Sequence, residues 1–360
     1  MPQSGKQSVS VRFSDTEESI PIASKNLTLT LDIPKGHIKI MKSKINIWML
    51  LGLVLVTLTV TSGCGRDSDA VVVDFNKTVA VDRPVSSEPE SNQLKVAVAA
   101  IISPKETFAY YRQLLDYIGQ RLGREIQFIQ RKTYGEINEL LARSQIDLAF
   151  ICSGPYVVGK EKHGFELLAT PEVQNSHFYH SYLIVNKSSR FQKLADLRGH
   201  VFAFTDPDSN TGKLVPTFWL SQMNEKPETF FSKTIYTYSH DNAILAVAKG
   251  LVDGAAIDGL IWEYYHRKNP VFTSETRIIR KSEPYGIPPL VASKSLSFDL
   301  KTQIRQALFD MHQDPNGKKI ISELMIDRFV SPRDEWYDSI RKINLKLALL
   351  DRESDAASQP

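Results

Sequence analysis

The sequence predicts an α/β protein of two lobes, and three observations carry that expectation. Strands alternate with helices along two successive blocks. The pattern breaks at Pro288-Pro289 and resumes as a short strand followed by three helices. The chain has 360 residues, the length of about two domains at roughly 150 residues each. A second α/β block set between two halves of a first implies two crossings between lobes. They fall near residues 185–190 and 285–291, giving a first lobe of 94–186 and 290–350 and a second of 187–289. Ligands of open α/β sheets sit beyond the carboxyl ends of the strands, so two facing lobes hold one in the cleft between them.

Each element has its own signal. LKVAVAAII (94–102) is a β-branched and alanine run that reads as a buried parallel strand. Thr107 can cap a helix whose apolar positions, Phe108, Tyr111, Leu114, Leu115, Ile118 and Leu122, recur three and four apart before Gly123 ends it. An extended segment at 126–130, a helix at 136–144 and a strand at 147–152 follow. The second block reads as strands at 182–186, 200–204, 254–257 and 277–280, with helices at 213–223, 241–249 and 259–267. After the proline pair come a strand at 290–292 and helices near 297–310, 317–326 and 334–350.

Composition excludes whole classes. The apolar fraction of 42% and charged fraction of 24% fit a globular chain, not a disordered or multi-span one. Residues 1–63 hold seven basic and four acidic side chains, which leaves 37 of each sign afterwards. A neutral body lacks the basic footprint of a nucleic-acid binder. The two cysteines, Cys64 and Cys152, make neither a zinc site nor a disulfide framework. No metal or cofactor is expected.

The first ninety residues read as an address. Lys42 and Lys44 precede the apolar run Ile47–Val56, too short for a span of ~20 residues but suited to a secretory signal. Thr61-Ser62-Gly63 before Cys64 resembles a bacterial lipobox, which implies diacylation of the Cys64 thiol and cleavage ahead of it. Met41 reads as the true start, with 1–40 a mistaken upstream extension, 41–63 a lipoprotein signal peptide and 64–93 a Ser/Pro/Glu-rich flexible tether.

Within the body, Asp206-Pro-Asp-Ser-Asn-Thr-Gly212 follows a strand and opens a helix. Helix N-termini leave N–H groups unpaired and carry partial positive charge, so they receive oxyanions. Ser209, Asn210 and Thr211 add neutral donors, and Gly212 admits close backbone approach; an ordinary capped turn would use the same residues. His240, at the next helix start, can donate to an oxyanion or simply pack. Asp258, closing the GAAI strand, can accept a proton from a ligand or cap a helix. Tyr134, Tyr156 and Tyr179 stand where strands give way to loops or helices, as ligand contacts or as packing. Enzyme readings are weaker. Gly154-Pro-Tyr-Val-Val-Gly159-Lys160 approaches a P-loop but ends in Glu161, where Ser or Thr is needed. His177 and His180 have no third metal ligand, and no nucleophile–base pair appears.

FAFTDPDSNTGKLVPTFWL, YSHDNAILAVAKGLVDGAAID and SEPYGIPPLVAS, preceded by RKTYGEINELL, IDLAFICSGPYVVG and FYHSYLIVNKSS, together resemble the phosphonate/phosphite-binding periplasmic proteins of ABC transporters. The resemblance spans roughly 94–330. It implies a type II periplasmic-binding-protein fold that closes on a small tetrahedral oxyanion. It implies that Ser209, Asn210 and Thr211 form the anion loop, that Tyr134 and Tyr179 donate to ligand oxygens, and that His240 faces them. Family members that take amino-bearing phosphonates carry carboxylates where this chain has Leu260 and Pro288. The implied protein is a monomeric, lipid-anchored periplasmic or cell-surface lipoprotein of a bacterium, delivering phosphite, phosphate or an alkylphosphonate to an ABC permease. A sensory binding protein of the same fold is the alternative.

Overall fold

A computed structural model describes residues 92–357. The upstream extension, the apolar run, Cys64 and nearly all of the tether lie outside the described residues.

In chain order the strands are β1 (Gln93–Val98), β2 (Glu125–Ile129), β3 (Leu148–Phe150), β4 (Glu166–Glu172), β5 (Phe178–Tyr179), β6 (Ser181–Asn186), β7 (Val201–Phe204), β8 (Lys233–Tyr236), β9 (Gly254–Asp258), β10 (Thr276–Lys281), β11 (Tyr285–Gly286), β12 (Leu290–Ala292) and β13 (Arg328–Val330). Two sheets result, ordered β13-β4-β12-β3-β1-β2 and β10-β6-β9-β7-β8. Each is the core of one lobe.

Both sheets are mixed rather than parallel. β2, β1 and β3 run parallel in one, and β8, β7 and β9 in the other. The first strand after each crossing, β6 or β12, instead lies antiparallel to its neighbours. A crossing delivers the chain to the cleft end of the new sheet, from which a strand can only run away from the cleft. The alternating blocks therefore describe three strands of each sheet and not the returning one.

The first crossing also lies earlier than 185–190. Ser181–Asn186 pairs with β9 and β10, so it belongs to the second lobe. The crossings are β5 and β11, which pair antiparallel as a two-stranded ribbon through Tyr179↔Tyr285 and Phe178↔Gly286. SYLIVN is buried along almost its whole length, so its apolar run fits either sheet equally. Trp336 stacks on His177 at 3.9 Å beside this ribbon. The helix Asp338–Ala357 then packs on Ser153–His163 of the first lobe and Val215–Ser221 of the second.

Most other expected elements stand within a few residues of their positions. β1 stops at Val98, and Ala99–Ile102 continues as buried loop at the cleft. The first helix begins at Pro104, so Thr107 caps nothing; its hydroxyl donates to the Ile102 carbonyl at 3.0 Å. β4, β8 and the helix Ser153–His163 are additions that weak local patterns hid.

Candidate functional site

Five helical N-termini converge on the cleft, each with a local reason to start there. Thr133 and Glu136 form a capping box that opens Tyr134–Ala142. Cys152 precedes Ser153–His163. Ser209 Oγ accepts from Gly212 N–H at 3.0 Å and opens a π-helical turn, Asn210–Leu214, earlier than the expected helix start. Ser239 caps His240–Ala248, and Asp258 Oδ1 accepts from Leu260 and Ile261 N–H to cap Gly259–Lys268. Partial positive charge from these ends gathers in one place.

The lobes meet closely here. Tyr134 N–H donates to Asp206 Oδ2 at 3.1 Å, His240 N–H to the Ile101 carbonyl at 3.0 Å, and Ser103 N–H to Asp241 Oδ1 at 2.9 Å. A Cβ on Gly154 would stand 2.7 Å from the Asp208 carbonyl oxygen, so this glycine is what lets the first lobe approach the second.

His240 is wholly buried, and burial alone pushes its imidazole down to about 3. It is neutral at any physiological pH. The Asp258 N–H donates to Nδ1 at 2.9 Å, so the ring proton sits on Nε2. Nε2 has no partner. It is therefore a fixed, neutral, unsatisfied donor. Buried and likewise unpartnered are Tyr134 Oη, Thr211 Oγ1 and Asn210 Oδ1. Tyr134 is held far from ionisation by burial first, then by Cys152, Asp206, Asp258 and Tyr179 around it.

A second chain of hydroxyls is internally satisfied. Ser153 Oγ donates to the Gly286 carbonyl at 2.9 Å, which leaves Tyr179 Oη to donate to Ser153 Oγ at 2.8 Å and to accept from Asn210 Nδ2 at 3.2 Å. The Thr211 carbonyl is pinned by Ser181 Oγ at 2.7 Å. Asp258 is buried, and desolvation raises its carboxyl to about 7 against the lowering effect of its two capped N–H groups. Asp206 rises to about 6 for the same first reason.

Tyr134, Tyr179, Ser209, Asn210, Thr211, His240 and Asp258 are thus brought together. Tyr156 is not. Its hydroxyl donates to Asp334, and its ring packs edge-on against Tyr337 at 4.7 Å, within a cluster that includes Lys160 and Arg341. On a helix starting at Ser153, Tyr156 falls on the face turned toward the C-terminal segment. Gly212 has a packing role as well. A Cβ there would come within 1.8 Å of Thr205 Oγ1, so the missing side chain seats the loop on the end of β7.

Ser153, Gly154 and Asp206 also stand at this cleft, though the sequence reading did not select them as candidates. A serine at the junction of strand and helix in AFICSGP was the available signal for the first. The apparent P-loop lies inside the helix Ser153–His163, with Lys160 paired to Asp334 at 3.1 Å. His180 Nδ1 donates to the Ser282 carbonyl at 2.7 Å. Among the described residues no group of three or more His, Cys, Asp or Glu is placed to hold a metal ion.

Asp258 also lines a cavity of about 120 Å³, walled by Ile101, Phe150, Leu260, Ile261, Ile287 and Phe329 among others; Pro288 lines it too.

Two α/β lobes joined by a double crossing, with neutral donors and helix ends gathered between them, define a solute-binding protein of the type II fold. The family model described as "ABC transporter, phosphonate, periplasmic substrate-binding protein" matches residues 96–337. The chain belongs to that family, whose members bind substrates rather than transform them. It is 24% identical over 267 residues to the phosphonates-binding periplasmic protein of Escherichia coli, covering 73% of this chain and 79% of that one. A binding-protein component of an ABC phosphonate transporter from Pseudomonas aeruginosa superposes with a TM-score of 0.68 at 23% identity, covering 74% and 89% of the two chains. A Prochlorococcus marinus protein solved in complex with methylphosphonate gives 0.66 at 19% identity, covering 72% and 99%. Among the described residues no helix is long and apolar enough to cross a membrane.

Proposed function

We propose that this protein is the lipid-anchored substrate-binding component of an ABC importer and captures a small phosphorus oxyanion: phosphite, phosphate or an alkylphosphonate. The observation that carries the reading is the set of buried, unpartnered polar atoms between the lobes: Tyr134 Oη, Thr211 Oγ1 and the proton-bearing His240 Nε2. A buried donor without an acceptor costs ~1–3 kcal/mol, and an oxyanion satisfies several at once with charge-assisted bonds of ~1.5–3 kcal/mol each. Ser209 extends the donor set, Asn210 supplies the amide hydrogen not given to Tyr179, and Tyr179 holds that amide in place. The Asp258 carboxyl, raised toward neutrality by burial, offers an O–H to a ligand oxygen in its protonated form. Water exclusion on closure strengthens every one of these bonds.

Calorimetry of the full chain against phosphite, phosphate, methylphosphonate, sulfate and methanesulfonate tests the reading. Saturable binding of at least one phosphorus oxyanion, with both sulfur oxyanions weaker, is expected. Equal or tighter binding of sulfate would remove the phosphorus assignment. Anchoring is tested separately: fatty-acid labelling should mark the wild type and not Cys64→Ala, and residues 41–63 recovered on the mature protein would contradict it. Deletion of the gene should abolish uptake of the bound oxyanion; retained uptake would favour a sensor.

A further inference from the structure

We propose that the ligand carries an uncharged apolar organic group of roughly four to six carbon atoms on phosphorus, seated in the cavity that Asp258 lines. This rests on the oxyanion reading above and narrows it.

Three features of the cavity support it. First, it neighbours the oxyanion donors, which stand one residue behind its wall. Asp258, on its wall, donates its backbone N–H to His240 Nδ1, while Ala99 and Ile101, also on its wall, pack with Tyr134 and Cys152. A phosphorus atom held by the neutral donors can therefore point one substituent into this space. Second, its wall is mainly apolar, with Tyr111, Gln174 and Tyr264 as its neutral polar side chains. Ile101, Phe150, Ile287 and Phe329 come from the first lobe and the crossing, and Leu260 and Ile261 from the second. Each of the two carboxylates on the wall has one oxygen engaged: Asp258 Oδ1 caps a helix, and Glu263 Oε1 accepts from Tyr182 Oη at 3.1 Å. Third, its size exceeds what phosphite, phosphate or a methyl group needs. An engineered cavity of ~150 Å³ lined by similar side chains takes up benzene, and this one measures about 120 Å³. Because both lobes supply the wall, burying the organic group also favours the closed arrangement.

The experiment is calorimetry of the full chain with phosphite, methylphosphonate, ethylphosphonate, butylphosphonate, phenylphosphonate and 2-aminoethylphosphonate. Affinity is expected to rise about fourfold per methylene from methyl to butyl. Phenylphosphonate should match or exceed butylphosphonate. The aminoethyl compound should bind less tightly than the ethyl one, since its ammonium loses water in a mainly apolar space whose two carboxylates each already hold a hydrogen bond on one oxygen. Ile326→Trp, on the cavity wall, should collapse the ratio of butyl to methyl affinity toward one; Leu260→Trp serves if that variant does not fold. Phosphite or methylphosphonate binding as tightly as the butyl and phenyl compounds would overturn this inference and leave the oxyanion site standing. A preference for the aminoethyl compound, or an unchanged ratio in the variant, would overturn it too. Failure of every phosphorus oxyanion to bind would overturn both readings.

Discussion

Replacing His240 with asparagine separates the two nitrogens of one ring. Asparagine Oδ1 lies close to the position of imidazole Nδ1, so it can go on accepting the Asp258 N–H that now reaches Nδ1 at 2.9 Å. What disappears is the Nε2 proton, which has no partner within the protein. With an oxyanion between the lobes that proton makes one charge-assisted bond, so its loss should cost ~1.5–3 kcal/mol, roughly 10- to 150-fold in Kd. Stability without ligand should move by less than about 1–2 kcal/mol, because removing an unsatisfied donor offsets the small void left behind. His240→Ala is the control: it also strands the Asp258 N–H, so it should lose ~1–3 kcal/mol of ligand-free stability. The wild-type affinity should not follow imidazole titration, because the folded ring ionises only near 3. Stability carries that signature instead. The neutral ring contributes stability that is fully present above the unfolded value of 6.5 and is lost as pH falls toward 3. The assays are calorimetry with methylphosphonate and thermal denaturation with and without it. An affinity for His240→Asn within twofold of wild type would refute the reasoning and leave His240 a packed side chain.

Gly154→Ala places a Cβ against the Asp208 carbonyl oxygen of the opposite lobe; ligand affinity should fall at least tenfold while ligand-free Tm changes by no more than a few degrees, measured by calorimetry and thermal melts. Asp258→Asn keeps an oxygen for the helix cap but cannot ionise. Since burial raises the wild-type carboxyl from 3.8 to about 7, the native state loses stability as pH rises through that window. The variant should therefore be more stable than wild type at pH 8, by on the order of a few kcal/mol, and nearly equal at pH 4; equal pH profiles in denaturant titrations would contradict the buried placement. Cys152 is buried and free, with its thiol pushed up to about 11 by burial, so a maleimide should react with the native protein far more slowly than with the unfolded one. Rapid native labelling would mean that the cleft wall opens freely.

Local chemistry made much of this protein legible from its residues. Alternating apolar runs and periodic helices marked the α/β class, because burial periodicity is a property of a segment alone. Asp206–Gly212 announced a helix start with neutral donors, and Ser239-His240 and Asp258 announced two more, since caps are written within three or four residues. The tertiary structure decided everything that depends on where separate segments meet. It turned β6 into the second lobe, because a run buried along most of its length carries no mark of which sheet receives it. It removed Tyr156 from the cleft, because a pairing with Asp334 across 178 residues leaves no local trace. It showed Gly212 packed against Thr205 and gave Gly154 the role of admitting the opposite lobe. It also chose the His240 tautomer, through a backbone N–H eighteen residues away. A hydrogen bond's donor and acceptor are fixed by both partners together, and here only the fold brings the second partner into reach.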